Sequence, residues 1–364
     1  MIEILINNIK CLTLFVLLLF PSIVVGNDTN QKNIILLIHG IKLNINQPNR
    51  VWGNCNKNEK YYWNGMVGYL QNRGYAFGGI IKSKRGNIRL PDCLDKTCCY
   101  YNPVDANVFV LEFSKAASTD GLAFKCLELS ECIKELLYFT NCKSISIVAH
   151  SAGGLVARAY VQKALPSVDY CGHVNKLITV GTPHFGSAYA KFGDLLGTRV
   201  TSLKPNASII NDLNNTLTLP QNILYASIII RGFAADVRGS GYSYDPYIDP
   251  TKLSNLPIDF KYGGDQGVHV KSQNLALAKC AQLYEKLTQR PILNPIIRVT
   301  DPSPKDTSLN DEQVHTFAPN SPNVQKKLYL LLQENNALWK KKQKNQLEKQ
   351  VENDIINNVY KKRN

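Results

Sequence analysis

Short runs of β-branched and aliphatic residues alternate along the chain with segments in which apolar residues recur every three or four positions. The apolar runs cover residues 33–38, 107–113, 176–180 and 224–231, with one more around Arg298. Helical periodicity covers residues 62–72, 122–139 and 324–333. Uninterrupted apolar runs are typical of strands that are buried on both faces. The alternation therefore predicts an α/β fold, with helices on both faces of a mainly parallel central sheet.

One strand-to-helix junction has an unusual composition. Residues 144–158 read Ser-Ile-Ser-Ile-Val-Ala-His-Ser-Ala-Gly-Gly-Leu-Val-Ala-Arg, and residues 155–165 contain neither glycine nor proline. A serine on a sharp turn between a strand and a helix needs small residues two positions before and two positions after it, because larger side chains would clash with the backbone. Ala149 and Gly153 meet this requirement. The pattern predicts a nucleophile elbow with Ser151 as the nucleophile.

A serine nucleophile requires a general base and a carboxylate that orients the base. Where the serine follows a strand in this way, the order along the chain is serine, acid, histidine. Asp265, at the end of a glycine-rich turn, is the favoured acid, and Asp236 is the alternative. His269 lies in the same short segment as Asp265, so His315, in a predicted loop before the last helix, is the favoured base.

The oxyanion hole is expected to consist of two backbone N–H groups, one after the nucleophile and one in the loop after the first strand. These groups belong to Ala152 and Ile41. We expect His39 to hydrogen-bond its own loop and His150 to serve packing. The cysteines at 93–99 lack histidines at zinc-finger spacing, so disulfides are favoured over a metal site there. The serine chemistry itself requires no cofactor, and none is predicted.

The chain ends differ in composition from the middle. Residues 1–26 contain a short apolar run after Lys10 and end in small residues, which predicts a cleaved signal peptide and secretion; a membrane anchor is the alternative. We predict one catalytic domain over residues 27–333 and a basic tail, rich in Lys, Asn and Gln, over residues 334–364. Residues 186–261 lose the strand and helix periodicity, and form either a lid over the site or a plain surface loop.

Cysteine usage and glycosylation sequences fit secretion. Removing the signal would leave nine of the ten cysteines, an odd number, and secretion favours several disulfides. The nine are Cys55, Cys93, Cys98, Cys99, Cys126, Cys132, Cys142, Cys171 and Cys280. Asn27, Asn206 and Asn214 each begin an N-glycosylation sequence.

The formal net charge is +14, and the tail carries two clusters of basic residues, at 340–344 and 361–363. No nucleic-acid-binding motif accompanies it, so we do not expect a nucleic-acid partner. Leu347, Val351, Ile355 and Val359 recur every four residues and would place an apolar stripe beside these charges. The tail is therefore either solvated or docks on an anionic lipid surface.

Three segments together resemble the secreted α/β-hydrolase lipases. They are Leu-Leu-Ile-His-Gly-Ile at 36–41, Val-Ala-His-Ser-Ala-Gly-Gly-Leu-Val-Ala-Arg at 148–158 and Ile-Thr-Val-Gly-Thr-Pro-His-Phe-Gly-Ser at 178–187. The resemblance implies the α/β-hydrolase fold and a Ser151, Asp265, His315 triad that works through an acyl-enzyme. Most relatives have Gly where this chain has Ala149, and Gln266 is inserted after the acid. No Asp follows His315 closely, so the calcium site of some bacterial members is not expected.

The function that follows from the resemblance is hydrolysis of lipid carboxylic esters, most simply of triacylglycerols. Two alternatives use the same fold: deacylation or acyl transfer on another lipid ester, as in inositol deacylation of GPI anchors, and a non-catalytic binding protein. An intact set of serine, acid and histidine argues against the last. Acyl-chain length, head group and oligomeric state stay open.

Overall fold

A computed structural model gives the fold of the chain. It describes residues 33–40, 50–53, 55–56, 62–84, 87–89, 106–114, 121–187, 190, 201–233, 268, 270–300 and 313–333. The predicted signal peptide, the basic tail and most of the predicted lid region lie outside these residues. The domain boundaries proposed from the sequence therefore stay predictions.

Ten strands and eight α-helices lie in the described part of the chain. The strands are β1 (Ile34–Ile38), β2 (Cys55–Asn56), β3 (Tyr62–Trp63), β4 (Phe77–Lys84), β5 (Asn87–Arg89), β6 (Val108–Glu112), β7 (Ile145–His150), β8 (Val174–Val180), β9 (Leu224–Phe233) and β10 (Ile296–Thr300). The helices are α1 (Gly65–Gln71), α2 (Leu122–Thr140), α3 (Gly153–Val161), α4 (Ser208–Asn211), α5 (Val270–Gln273), α6 (Lys279–Thr288), α7 (Gln313–Phe317) and α8 (Pro322–Gln333). A π-helical turn, Asp212–Thr216, follows α4.

The central sheet has the strand order β10-β9-β8-β7-β1-β6-β4-β5. Each neighbouring pair from β10 to β4 is parallel, and only the edge strand β5 is antiparallel. Ile38 at the end of β1 pairs with Ala149 in β7. The carboxyl ends of these two central strands, and the segments that follow them, therefore meet at one edge of the sheet.

Helices cover both faces of the sheet, as the apolar pattern predicts. Alternate residues of β1 point to opposite faces: Ile34, Leu36 and Ile38 pack on one side, and Ile35 and Leu37 on the other. The first face carries α2, α3 and α6, and the second carries α1 and α8. The chain has the α/β-hydrolase fold that the sequence predicts.

The sequence prediction missed β4 and α6 and misplaced two shorter elements. In β4, the glycines interrupt the apolar run, but they are needed, because a Cβ on Gly78 would lie 2.2 Å from the Phe109 ring. The predicted helix 62–72 begins only at Gly65, and Tyr62–Trp63 is a strand. His315 lies in the short helix α7 and not in a loop.

The predicted disulfides are not formed by the cysteines that the structure describes. Cys126, Cys132, Cys142, Cys171 and Cys280 are free thiols, and only Cys171 is exposed. Burial raises the pKa of Cys126 to about 12. The four buried thiols pack as small, largely apolar side chains. The side chains of the other four cysteines lie outside the described residues.

A buried lysine anchors α8, the last helix of the described residues, to the sheet. Lys176 in β8 is 3% exposed, and its Nζ lies 3.3 Å from the carbonyl oxygen of Leu331 and 2.5 Å from that of Leu332. The carbonyl groups at the end of a helix carry partial negative charge and have no partner within the helix. The ammonium group therefore stabilises the C-terminal end of α8.

Two features typical of other classes of protein are absent from the described residues. None of the helices among them has the length and apolar character needed to cross a membrane. The same part of the chain contains no group of three His, Cys, Asp or Glu side chains placed to hold a metal ion.

Candidate active site

Ser151 occupies the sharp turn that the sequence predicts between β7 and α3. Its φ is 55°, in the left-handed region that residues with a Cβ seldom adopt. Its N–H donates to the carbonyl of Val180 at 2.9 Å, and its own carbonyl accepts from the Thr182 hydroxyl at 2.9 Å. Contacts with the neighbouring strand and the turn after it therefore hold the strained backbone in place.

The glycines after Ser151 allow close approach to the neighbouring loops. A Cβ on Gly153 would lie 2.7 Å from the carbonyl oxygen of His39, and a Cβ on Gly154 would overlap the Thr182 side chain. These clashes explain why small residues follow the serine. The elbow can pack against the loop after β1 only because the glycine that faces this loop has no side chain.

The structure brings Ser151 and His315 together across 164 positions of sequence. His315 Nε2 lies 2.8 Å from Ser151 Oγ. At this distance the hydroxyl can donate to the imidazole, which is the arrangement that a general base needs before it takes the proton. Both side chains are partly buried, and both belong to the edge of the sheet where the central strands end.

Ala152 and Gly40 border the space next to the nucleophile. Ala152, directly after Ser151, is 5% exposed. A Cβ built on Gly40 would lie 2.8 Å from the Ala152 nitrogen and 2.9 Å from Ser151 Oγ. Only a residue without a Cβ can therefore bring the loop after β1 this close to the Ala152 N–H, one of the two predicted oxyanion donors, and to the Ser151 hydroxyl.

Several predicted site residues lie outside the described part of the chain. These are the second oxyanion donor Ile41, the favoured acid Asp265, the alternative acid Asp236, and His269. Their roles stay predictions.

His39 and His150 both form hydrogen bonds at the site. His39 Nδ1 lies 2.8 Å from the carbonyl oxygen of Gly40, the bond within the loop that the sequence suggested. His150 does more than pack, because its Nε2 lies 2.8 Å from the carbonyl oxygen of His315. Sequence reasoning missed this bond, and a histidine directly before the nucleophile is the only signal that could have suggested it.

A buried polar network lies around α3, the helix that follows the elbow. The sequence analysis did not predict it. Arg158 in α3 has no solvent exposure. Its guanidinium donates to five groups: the side chains of Gln162, His184, Asn214 and Cys280, and the carbonyl of Leu213. All five are neutral acceptors, and burial lowers the pKa of Arg158 without discharging it. A single charge within an otherwise apolar helix is the sequence signal that could have revealed the network.

The network fixes the protonation of His184. An arginine can only donate, so His184 Nδ1 must accept from Arg158, and Nε2 carries the hydrogen that faces the Thr179 hydroxyl at 3.1 Å. Burial, together with the positive charge of Arg158, holds the pKa of His184 well below its usual value. This histidine is a neutral structural group and is not a second base.

Asn214 cannot carry the predicted glycan in this fold. It is 3% exposed, accepts from Arg158 at 2.9 Å and donates to the carbonyl of His184 at 2.8 Å. A glycan would have to break these buried bonds. Asn206, in contrast, is exposed, and Asn27 lies outside the described residues.

We expect Ser151→Gly to be more stable than Ser151→Ala by about 1 kcal/mol, because glycine adopts a φ of 55° without the steric cost of a Cβ. Both variants lack the hydroxyl, so they differ only in the methyl group. Unfolding in urea measures the difference. At Ser208, an exposed position in α4, we expect the alanine variant to be more stable than the glycine variant. A glycine variant that is more stable at both positions would rule out strain at the elbow as the cause.

Comparison with known proteins gives one family and several partial relatives. The chain is 32% identical to a triacylglycerol lipase of Pseudarthrobacter phenanthrenivorans over 120 residues, which are 32% of this chain and 36% of that lipase. It is also 32% identical to a triacylglycerol lipase of Burkholderia plantarii over 120 residues, 32% of each chain. The chain thus spans about a third of the length of either relative.

A solved structure and a family profile cover more of the chain. The mature lipase BlEst2 of Bacillus licheniformis has 14% identity and a TM-score of 0.47, and the match covers 83% of this chain and 92% of that one. The profile of the PGAP1-like alpha/beta domain matches residues 30–228, which are 199 of the 364 residues. That segment contains β1 with its loop, the elbow with Ser151, and the first half of β9. The chain therefore belongs to the family of the PGAP1-like alpha/beta domain.

Proposed function

We propose that the protein is a serine hydrolase of carboxylic esters that acts on lipid esters, most simply on triacylglycerols. The observation that carries the proposal is the 2.8 Å separation between His315 Nε2 and Ser151 Oγ, with the serine held at a φ of 55°. Partial identity to two triacylglycerol lipases supports the choice of substrate class.

The proposed reaction proceeds through an acyl-enzyme. Ser151 Oγ attacks the ester carbonyl while His315 Nε2 takes the hydroxyl proton, and the N–H groups of Ala152 and Ile41 stabilise the oxyanion. His315 then returns the proton to the leaving alcohol. Water attacks the acyl-enzyme by the same route, which releases the fatty acid and restores Ser151. Asp265 is the proposed partner that holds the imidazole in the correct tautomer.

We also propose that the chain is secreted, from the composition of residues 1–26. Exposed Asn206 is compatible with a glycan in the secretory pathway, whereas buried Asn214 is not.

Hydrolysis of p-nitrophenyl esters from acetate to palmitate, and of a triglyceride emulsion, tests the enzymatic proposal. Ser151→Ala supplies the background rate. Activity above that background, favouring long chains and rising on the emulsion, is the expected result and identifies a lipase. Activity on short esters alone would make the protein an esterase.

A second panel covers the alternatives that use the same fold. It contains a phospholipid, an inositol-acylated lipid and an alcohol acceptor for acyl transfer. Ser151-dependent turnover in this panel alone would replace the lipase proposal with a deacylase or transferase. No turnover above Ser151→Ala on either panel would contradict the hydrolase proposal and favour a binding protein.

A further inference from the structure

His150 joins the end of a central strand to the segment that carries the proposed base. It is the last residue of β7, directly before Ser151, and is 3% exposed. Its Nε2 lies 2.8 Å from the main-chain carbonyl oxygen of His315, and the two imidazole rings lie 4.7 Å apart between centroids at an angle of 41°. His150 therefore contacts the proposed base in two ways, by a hydrogen bond to its main chain and by packing against its ring.

The hydrogen bond fixes the chemical state of His150. A carbonyl oxygen can only accept, so His150 Nε2 must carry a hydrogen and donate it. Burial and the neighbouring His315, with a smaller contribution from His39, hold the pKa of His150 well below its usual range. Trp52 packs edge-on against the ring at 6.4 Å between centroids and has no solvent exposure. The result is a neutral donor in a fixed orientation.

This arrangement excludes His150 as the base itself. Its donating nitrogen faces His315 and is occupied by the carbonyl, whereas His315 Nε2 faces the serine hydroxyl. The helix that carries His315 has only five residues, too few to fix its own position. Further along, Asn320 Oδ1 accepts from the backbone N–H of Met66 at 3.1 Å, five residues beyond His315.

We propose that His150 is a positioning residue whose imidazole holds the main chain of His315 in place. Both partners of the Ser151–His315 hydrogen bond are thereby attached to the carboxyl end of β7. The nucleophile follows His150 by one covalent step, and the base is tied to His150 by one hydrogen bond. A displacement of about 1 Å between reacting groups can cost about 100-fold in rate. The proposal rests on the hydrolase function proposed above.

The test compares His150→Gln with His150→Met in the full chain. The two side chains have nearly the same shape, but only glutamine can donate to the His315 carbonyl. We expect kcat of His150→Met to fall about 10- to 100-fold with KM little changed, because only the alignment of the base is lost. His150→Gln should recover most of that loss. His173→Leu, at a partly exposed histidine before β8, is the control and should behave as wild type.

Equal kcat for the glutamine and methionine variants, or a wild-type kcat for His150→Met, would overturn the proposal and leave His150 as a packing group. Phosphonylation of Ser151 by a fluorophosphonate gives a second rate that depends on the Ser151–His315 pair and requires no ester substrate. A wild-type chain that is phosphonylated but hydrolyses no ester would refute the hydrolase function, and the phosphonylation rates of the two variants would still decide the role of His150.

Nitrogen-15 NMR of the wild-type imidazoles provides a readout that requires no variant to fold. We expect His150 to carry a hydrogen on Nε2 at neutral pH, because a bond to a carbonyl oxygen requires a donor there. Among the described residues, the titratable groups that face it are His315 and His39. A hydrogen on Nδ1 alone would overturn the proposal.

Discussion

Alanine at position 40 is expected to lower kcat/KM for ester hydrolysis by about 1,000-fold, the scale seen when an oxyanion-hole donor is lost. The added methyl group would lie 2.8 Å from the Ala152 nitrogen and 2.7 Å from Ser151 Cβ. Real Cβ atoms do not approach backbone this closely, so the β1 loop or the elbow must move. That movement would displace the Ala152 N–H, a predicted oxyanion donor, relative to Ser151 Oγ. Steady-state kinetics on the best p-nitrophenyl ester measures the loss.

Gly172→Ala is the control for this prediction, because no atom lies within 4 Å of a Cβ built there. Its φ of 88° predicts a small loss of stability, and its kcat/KM should stay at the wild-type value. Combining Gly40→Ala with Ser151→Gly should recover part of any lost stability, because the serine side chain no longer meets the new methyl group. Wild-type kcat/KM for Gly40→Ala would show that the close approach of Gly40 to the Ala152 N–H is not required for catalysis.

Replacing Arg158 with leucine should lower the free energy of unfolding by about 2–5 kcal/mol, because each buried acceptor that loses its donor costs about 1–3 kcal/mol. Leucine fills much of the volume but donates nothing. Asn214 Oδ1 and His184 Nδ1 would then remain buried without the donor they have now. Because His184 and Thr182 belong to the turn that contacts the elbow, activity should fall as well.

Urea unfolding measures this change, and Lys134→Leu is the matched control. Lys134 pairs with Glu131 on the surface of α2 at 2.9 Å, with both side chains about half exposed. Removing the same charge there should change stability by no more than about 0.5 kcal/mol. Arg158→Lys should behave like Arg158→Leu in direction, since a single ammonium cannot reach five acceptors in different directions. A loss for Arg158→Leu as small as the control's would contradict the role assigned to the network.

Sequence reasoning predicted most of the central sheet, because its strands are buried on both faces and are continuously apolar. It failed for β4, where packing against Phe109 requires glycine and the outer end carries lysines. It also missed α6, whose exposed face includes Leu283 and Leu287 and so blurs the helical pattern. The hydrophobic pattern predicted an element correctly only where the burial of its side chains stays the same along its whole length.

In the candidate site, too, the features that depend on neighbouring residues were predicted, and those that depend on contacts distant in sequence were not. The elbow was predicted because strain and close approach at Ser151 impose small residues nearby in sequence. His315 was chosen from chain order, and its approach to Ser151 agrees with that choice. The roles of His150 and Arg158 could not be predicted, since their partners lie up to 165 and 122 positions away and no local rule links them.

Lys176 ties the end of the last described helix to an interior strand, and this bond determines which parts of the fold open together. If the last turn of α8 frayed, a buried ammonium group would lose the carbonyls of Leu331 and Leu332. That cost makes α8 part of the same cooperative unfolding unit as β8, although it stands near the end of the described chain. His315 lies seven residues before α8 begins. The hydrogen bond between Ser151 and His315 therefore depends on the global stability of the fold. A mutation that weakens the core of the sheet would misalign Ser151 and His315 even if it lies far from both residues.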